Sequence, residues 1–219
     1  MKHLSVNPSH ILLADTSDLL LIGACAMLNA YPECQLLGTA GDFHTLLKLT
    51  KQHQPDMIFF GDQLDPESDI SLQVKQLKAV APHAKLVLMH VRVSGSRIHE
   101  WLADGIDGVL CKLDRLETHL YCAVLAMRRN RPYLSPTASA EYLVTMQSPY
   151  ASKSLDAEAR QVLQLLSQGE HVGQISARLR IGKRRVYWVR EKLRQRFDAK
   201  TNEHLIQRAL VDGFIHLRD

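Results

Sequence analysis

The sequence has no apolar run approaching the roughly 20 residues of a membrane-spanning helix. Residues 1–10 also lack the apolar core of a signal peptide. These absences argue against a helical membrane protein and an exported one, and set the expectation of a cytoplasmic protein with no membrane contact. Cysteine is sparse. The four present, Cys25, Cys34, Cys111 and Cys122, show neither C-x-x-C spacing nor a Cys/His ligand pattern, so reduced thiols are expected and no metal site. There is no internal repeat and no low-complexity tract. What remains is an ordinary globular composition, 46% hydrophobic and 23% charged over 219 residues, enough for one large or two average domains.

Charge is unevenly placed. The formal net charge is +4, but residues 151–219 hold 14 basic and 8 acidic side chains, a surplus of six that leaves residues 1–150 at −2. Within that basic region Ile181 to Phe197, IGKRRVYWVREKLRQRF, carries seven Lys/Arg and one acid, Glu191. Val186, Val189, Leu193 and Phe197 recur at helical steps and form one apolar face. Arg184, Trp188, Glu191 and Gln195 lie opposite, flanked by Tyr187, Arg185 and Lys192. Such a face offers long donors and acceptors for base edges, with cations beside them for phosphates. A charge run alone favours a solvated basic helix, so the neighbouring segments decide. Leu155 to Ser167 has helical periodicity, with Asp156 as N-cap and Gly169 closing it. Gln174 to Leu179 is a second short helix, and Arg180-Ile181-Gly182 leads into the basic one with Gly182 at its N-cap. Two short helices joined by a turn make a helix-turn-helix. Asn202 is placed to cap a last helix, Glu203 to Asp212, ended by Gly213.

This four-helix run resembles the DNA-binding domain of LuxR-type regulators of the NarL/FixJ class. The matched positions are Leu155, Val162, Leu163, Leu165, Leu166, Gly169, Ile175, Ala177, Leu179, Ile181, Val186, Leu193, Ala209, Leu210 and Gly213-Phe214-Ile215. Ala159 stands where the family usually has Glu, Arg180 where it often has Gly, and Val189 where it usually has His; Arg185-Val186-Tyr187 replaces Thr-Val-Lys. The resemblance implies double-stranded DNA as partner. Lys183, Arg185, Arg190 and Lys192 are then expected on phosphates, and Arg184, Tyr187, Trp188 and Glu191 on bases. It also implies a homodimer paired through the last helix by Leu205, Ile206, Ala209 and Leu210, although Leu205 and Ala209 would serve equally to close the domain's own core.

Residues 10–127 alternate short apolar runs (11–14, 35–38, 57–60, 86–89 and 108–110) with amphipathic stretches at about 18–30, 42–53, 69–79, 96–104 and 114–128. Five buried strands each followed by a helix predict a doubly wound, flavodoxin-like (βα)5 sheet, whose site lies at the carboxyl ends of the strands. The residues there are Asp15, Thr16, Gly61, Asp62, His90 and Lys112. No Gly-rich phosphate loop follows the first strand and no Ser/His/Asp or Cys/His set is visible, so no enzyme and no cofactor are expected. With Pro55-Asp56, the run Ala103 to Gly108, and Tyr133-Leu134-Ser135-Pro136, this half resembles the receiver of two-component response regulators.

In that family a central Asp takes a phosphoryl group, an acidic pair holds Mg²⁺, and a Ser/Thr and a Lys hold the phosphoryl oxygens. Here Gly61 stands at the acceptor position, Thr16 at the second acid and His90 at the hydroxyl; Asp15 and Lys112 remain. The resulting expectation is a receiver-like domain at 1–128, a linker at 129–153 and a helix-turn-helix domain at 154–219. Its signal would be a protein or small ligand at the receiver instead of phosphorylation. Two alternatives stay open: a phosphorelay in which Asp62 has taken over, and an interaction adaptor that binds DNA weakly. By strand alternation Asp62 should face away from Gly61's side.

Overall fold

The computed structural model describes residues 7–66, 68–147, 155–211, 214 and 215. The chain forms two compact units, and the principal division falls between Glu141 and Tyr142. The first contains β1 (Ser9–Ala14), α1 (Asp18–Asn29), β2 (Cys34–Ala40), α2 (Phe43–His53), β3 (Met57–Gly61), α3 (Ile70–Val80), β4 (Lys85–His90), α4 (Gly95–Ala103), β5 (Gly108–Cys111), α5 (Leu116–Arg128) and β6 (Tyr133–Leu134). The sheet order is β2-β1-β3-β4-β5-β6 and every pairing is parallel. Each residue of β3 and β5 is buried, which explains why these strands read as unbroken apolar runs. Helices begin where a side-chain oxygen accepts an otherwise orphaned amide: Ser17 from Leu20 (3.3 Å), Asp42 from Thr45 (2.8 Å) and Asp69 from Ser71 (3.4 Å). Ile11, Leu13, Phe59, Val87, Met89 and Leu110 of the sheet pack with Leu21, Ala24 and Leu28 of α1 and Val124 and Met127 of α5.

Residues 129–147 depart from the expected linker. Tyr133 and Leu134 form β6, in register with Gly108 and Val109 of β5, and α6 (Pro136–Gln147) follows. A helical turn set around Ala138 to Met146 was expected within this linker; the full length of α6 and the strand were not. A two-residue strand is too short to show periodicity, and Pro136 occupies the first position of its helix, where a missing N–H costs nothing. Ser135 is fully buried, and its hydroxyl accepts the Cys111 amide at 2.9 Å. The rest of the expected linker, 148–153, lies outside the described residues.

The second unit contains α7 (Ala157–Ser167), α8 (Val172–Leu179), α9 (Lys183–Arg196) and α10 (Asn202–Val211). Asp156 caps α7 through the Ala159 amide at 2.7 Å, and Gly169, at φ +81, follows its end in a conformation that suits a residue without Cβ. His171 and Gln174 cap one another reciprocally, which starts α8 two residues before the expected Gln174. Arg180 ends α8 in the left-handed region, φ 54 and ψ 38, where a side chain costs about 1 kcal/mol; this is the position at which the resembled family often has Gly. Gly182 is the N-cap of α9 and makes no side-chain cap bond.

Helix α10 differs from expectation at its start. Thr201, not Asn202, is its cap, its hydroxyl accepting the His204 amide at 3.1 Å, while Asn202 takes a hydrogen bond from Arg194 at 3.0 Å. Leu205 and Ala209 are 0% exposed within the core formed by Val162, Leu163, Ile175, Val186, Val189 and Leu193. Their burial fits the reading in which they close this small domain, while Ile206 and Leu210 are half-buried. The expected helix end at Asp212 and Gly213 lies outside the described residues.

Candidate functional site

The carboxyl ends of β1, β3, β4 and β5 bring Asp15, Gly61, Asp62, His90 and Lys112 together. Lys112 Nζ lies 2.8 Å from Asp15 Oδ2 and 3.1 Å from Asp62 Oδ1. The other Asp62 oxygen accepts from Gln63 Nε2 at 2.9 Å and lies 3.6 Å from His90 Nε2. His90 Nδ1 accepts the Arg92 amide at 2.9 Å, so the neutral ring carries its proton on Nε2, toward Asp62. Its ring sits 5.2 Å from that of buried Trp101. Burial opposes ionisation of Asp62, but His90, the Gln63 amide and the Lys112 ammonium outweigh it and hold the carboxyl below the ordinary aspartate range. Thr16 is exposed and outside this cluster.

Asp62 therefore does not face away as strand alternation suggested. β3 ends at Gly61, and Asp62 lies in the following turn, where the two-residue period no longer governs direction. Gly61 does point into the cluster: a Cβ added to it would collide with Asp15 Oδ2 and stand 3.2 Å from Lys112 Nζ. Asp15 is held in place, since its Oδ1 accepts the Ser17 amide at 2.9 Å. The residues present do not fit a divalent cation. Gly61 and Thr16 supply no carboxylate, and the Asp15 oxygen facing the site is taken by an ammonium.

On α9, Val186, Val189 and Leu193 are buried, and Lys183, Arg184, Arg185, Tyr187, Trp188, Glu191 and Lys192 are exposed; Arg190 is half-buried. The aromatics are braced by cations. Arg185 Cζ and Lys192 Nζ lie 4.4 and 4.2 Å from the Trp188 ring, and Arg190 Cζ lies 4.9 Å from Tyr187. Arg185 is additionally gripped by Glu158 of α7, Nε to Oε1 at 2.7 Å and Nη2 to Oε2 at 3.3 Å, a bond that raises its already high pKa. Expected as a phosphate contact, Arg185 is thus engaged inside its own domain. Glu158 was not anticipated: its pairing depends on where α7 crosses α9, which sequence spacing does not give.

The sheet-edge cluster and the basic helix can be set beside known proteins. No family model matches the chain. The transcriptional regulatory protein YxjL of Bacillus subtilis is 24% identical over 217 residues, covering 94% of this chain and 96% of that one. MctR of Rhizobium johnstonii, also a transcriptional regulatory protein, is 23% identical over 205 residues, covering 94% of each. Among solved structures, the response regulator RcsB in its DNA complex superposes with TM-score 0.67 at 16% identity, over 94% of this chain and 99% of RcsB. The chain is thus similar over nearly its whole length to transcriptional regulatory proteins, and its fold is that of a response regulator with a receiver-like domain followed by a helical DNA-binding domain. Both relatives are named as transcriptional regulatory proteins, in line with the expectation of a regulator and not of an enzyme.

Proposed function

We propose that the protein binds double-stranded DNA in a sequence-specific manner through α9 and is controlled without aspartyl phosphorylation. The observation that carries the second half is the closed space at Gly61, filled by the Asp15–Lys112 ion pair where an acceptor side chain would stand. Asp62 is a poor replacement. Its two oxygens are already directed at Lys112 and at Gln63 and His90, and the acid beside it, Asp15, is taken by the same ammonium. Support for the first half is the exposed row of cations and aromatics on α9 and the likeness to RcsB, which has been solved bound to DNA and as dimers on DNA. In this reading Lys183, Arg190 and Lys192 neutralise phosphates, and Arg184, Tyr187, Trp188 and Glu191 meet bases. Two copies would read half-sites about one helical turn apart, with Ile206 and Leu210 as the apolar contribution of α10. The input is then a protein or small ligand at the receiver, or protein abundance.

Intact-mass measurement after treatment with acetyl phosphate and Mg²⁺ tests the control, on wild type and on Asp62→Ala. No adduct is expected on either. A stoichiometric phosphoryl adduct lost in Asp62→Ala would establish a phosphorelay with a shifted acceptor. For DNA binding, Trp188→Ala is expected to lose roughly 1–3 kcal/mol of discrimination between cognate and altered operators, whereas Lys183→Ala should weaken all sequences alike.

A further inference from the structure

Apart from Glu191 on the helix itself, one acid stands beside this surface of cations and aromatic rings. Glu158 belongs to the first turn of α7, a different helix from the one proposed to enter the groove, and it holds Arg185 by two parallel hydrogen bonds. Such a fork-to-carboxylate pair fixes the plane of the guanidinium as well as its position. That plane lies over Trp188, and Lys192 approaches the same ring. Arg185, Trp188 and Lys192 follow one another at three- and four-residue steps and so form a single stripe along α9. An indole that remains 46% exposed would ordinarily sample several rotamers; here it is braced by two cations, one of them anchored to the scaffold through Glu158.

We propose that Glu158 is a positioning residue for DNA sequence discrimination. Through Arg185 it holds the Trp188 indole in one orientation, with its exposed apolar edge available to a base, most simply the methyl group of a thymine in the major groove. The same pairing withholds one cation from the phosphates. Glu158 therefore acts in two directions at once: it sharpens the preference at one base pair and lowers affinity for DNA of any sequence. The inference rests on the proposal that α9 binds DNA, and extends it to a residue outside that helix.

The test uses the full-length protein and its Glu158→Gln, Arg185→Gln and doubly substituted forms. Binding to the selected operator, to operators altered one base pair at a time, and to unrelated duplex is measured between 50 and 300 mM salt, with thermal midpoints recorded for each form. Glu158→Gln is expected to keep its midpoint, to bind unrelated duplex more tightly, and to show a salt slope steeper by about one unit, because freed Arg185 reaches a phosphate. Preference at one operator position should fall by about tenfold. Arg185→Gln should lose the same preference without the steeper slope, and the double substitution should match Arg185→Gln alone. The slope is the informative readout, since a residue that merely supported the fold would not tighten binding when removed. An unchanged preference at every position in Glu158→Gln overturns the proposal, whether or not overall affinity rises. Absence of salt-dependent binding by the wild type to any duplex would instead remove the underlying DNA-binding reading.

Discussion

The two polar regions of this protein treat charge in opposite ways. At the carboxyl edge of the sheet, Asp15, Asp62 and Lys112, with His90 beside them, are shielded from solvent, the four side chains being between 2% and 12% exposed. Along α9 the cations and rings project into solvent. A shielded charge loses its hydration and must find a partner within the fold, so substituting one of its members should register as instability. An exposed charge costs the fold little and remains available to an external anion. The receiver edge has turned inward, and the helix has kept its charge for a partner.

The sharpest way to break this contrast is Lys112→Met, which leaves Asp15 and Asp62 facing each other without their shared cation. We expect a loss of about 3–5 kcal/mol in urea unfolding of the first unit; a loss under about 1 kcal/mol would mean that water already screens the pair. Asp62→Asn should cost less, roughly 1.5–3 kcal/mol at neutral pH. Because the folded-state pKa of Asp62 is depressed, its contribution is fully present above the ordinary aspartate value and disappears as pH falls through the lower folded value. The stability gap between wild type and Asp62→Asn should therefore close below about pH 4, as followed by unfolding at a series of pH values. Arg180→Gly exchanges a cation in the second unit for relief of its left-handed backbone, and should raise the unfolding free energy of that unit by about 1 kcal/mol, measured in urea. Smallest is Lys183→Ala, expected within about 0.5 kcal/mol of wild type in stability but shallower by about one unit in the salt dependence of DNA binding.

Much of this arrangement was legible in the sequence. Parallel strands buried on both faces leave unbroken apolar runs, and spacing from Pro55 was enough to place Gly61 at the acceptor position. The inward turn of Asp62 was not legible, because it begins where the strand's alternation stops. Nor was the role of Leu205 and Ala209. An apolar helix face records that it will be covered without recording whether its own domain or a second copy covers it. Glu158 escaped for a related reason: its partner lies 27 residues away, on a helix whose crossing with α7 only the folded domain defines.

Strand β6 bears on how this molecule can be divided. A fragment stopped at Arg128, where the alternation of runs and helices ends, would leave β5 as a raw edge with Gly108 and Val109 unmatched, and would remove the Ser135 hydroxyl that satisfies the buried Cys111 amide. A bare, flat, apolar edge of that kind is a template for another chain. The excised domain should be prone to edge-to-edge aggregation unless it retains the residues through Leu134 and the first turn of α6. The domain therefore extends past its last hydrogen-bonded strand into α6, well beyond the point at which its sequence pattern fades.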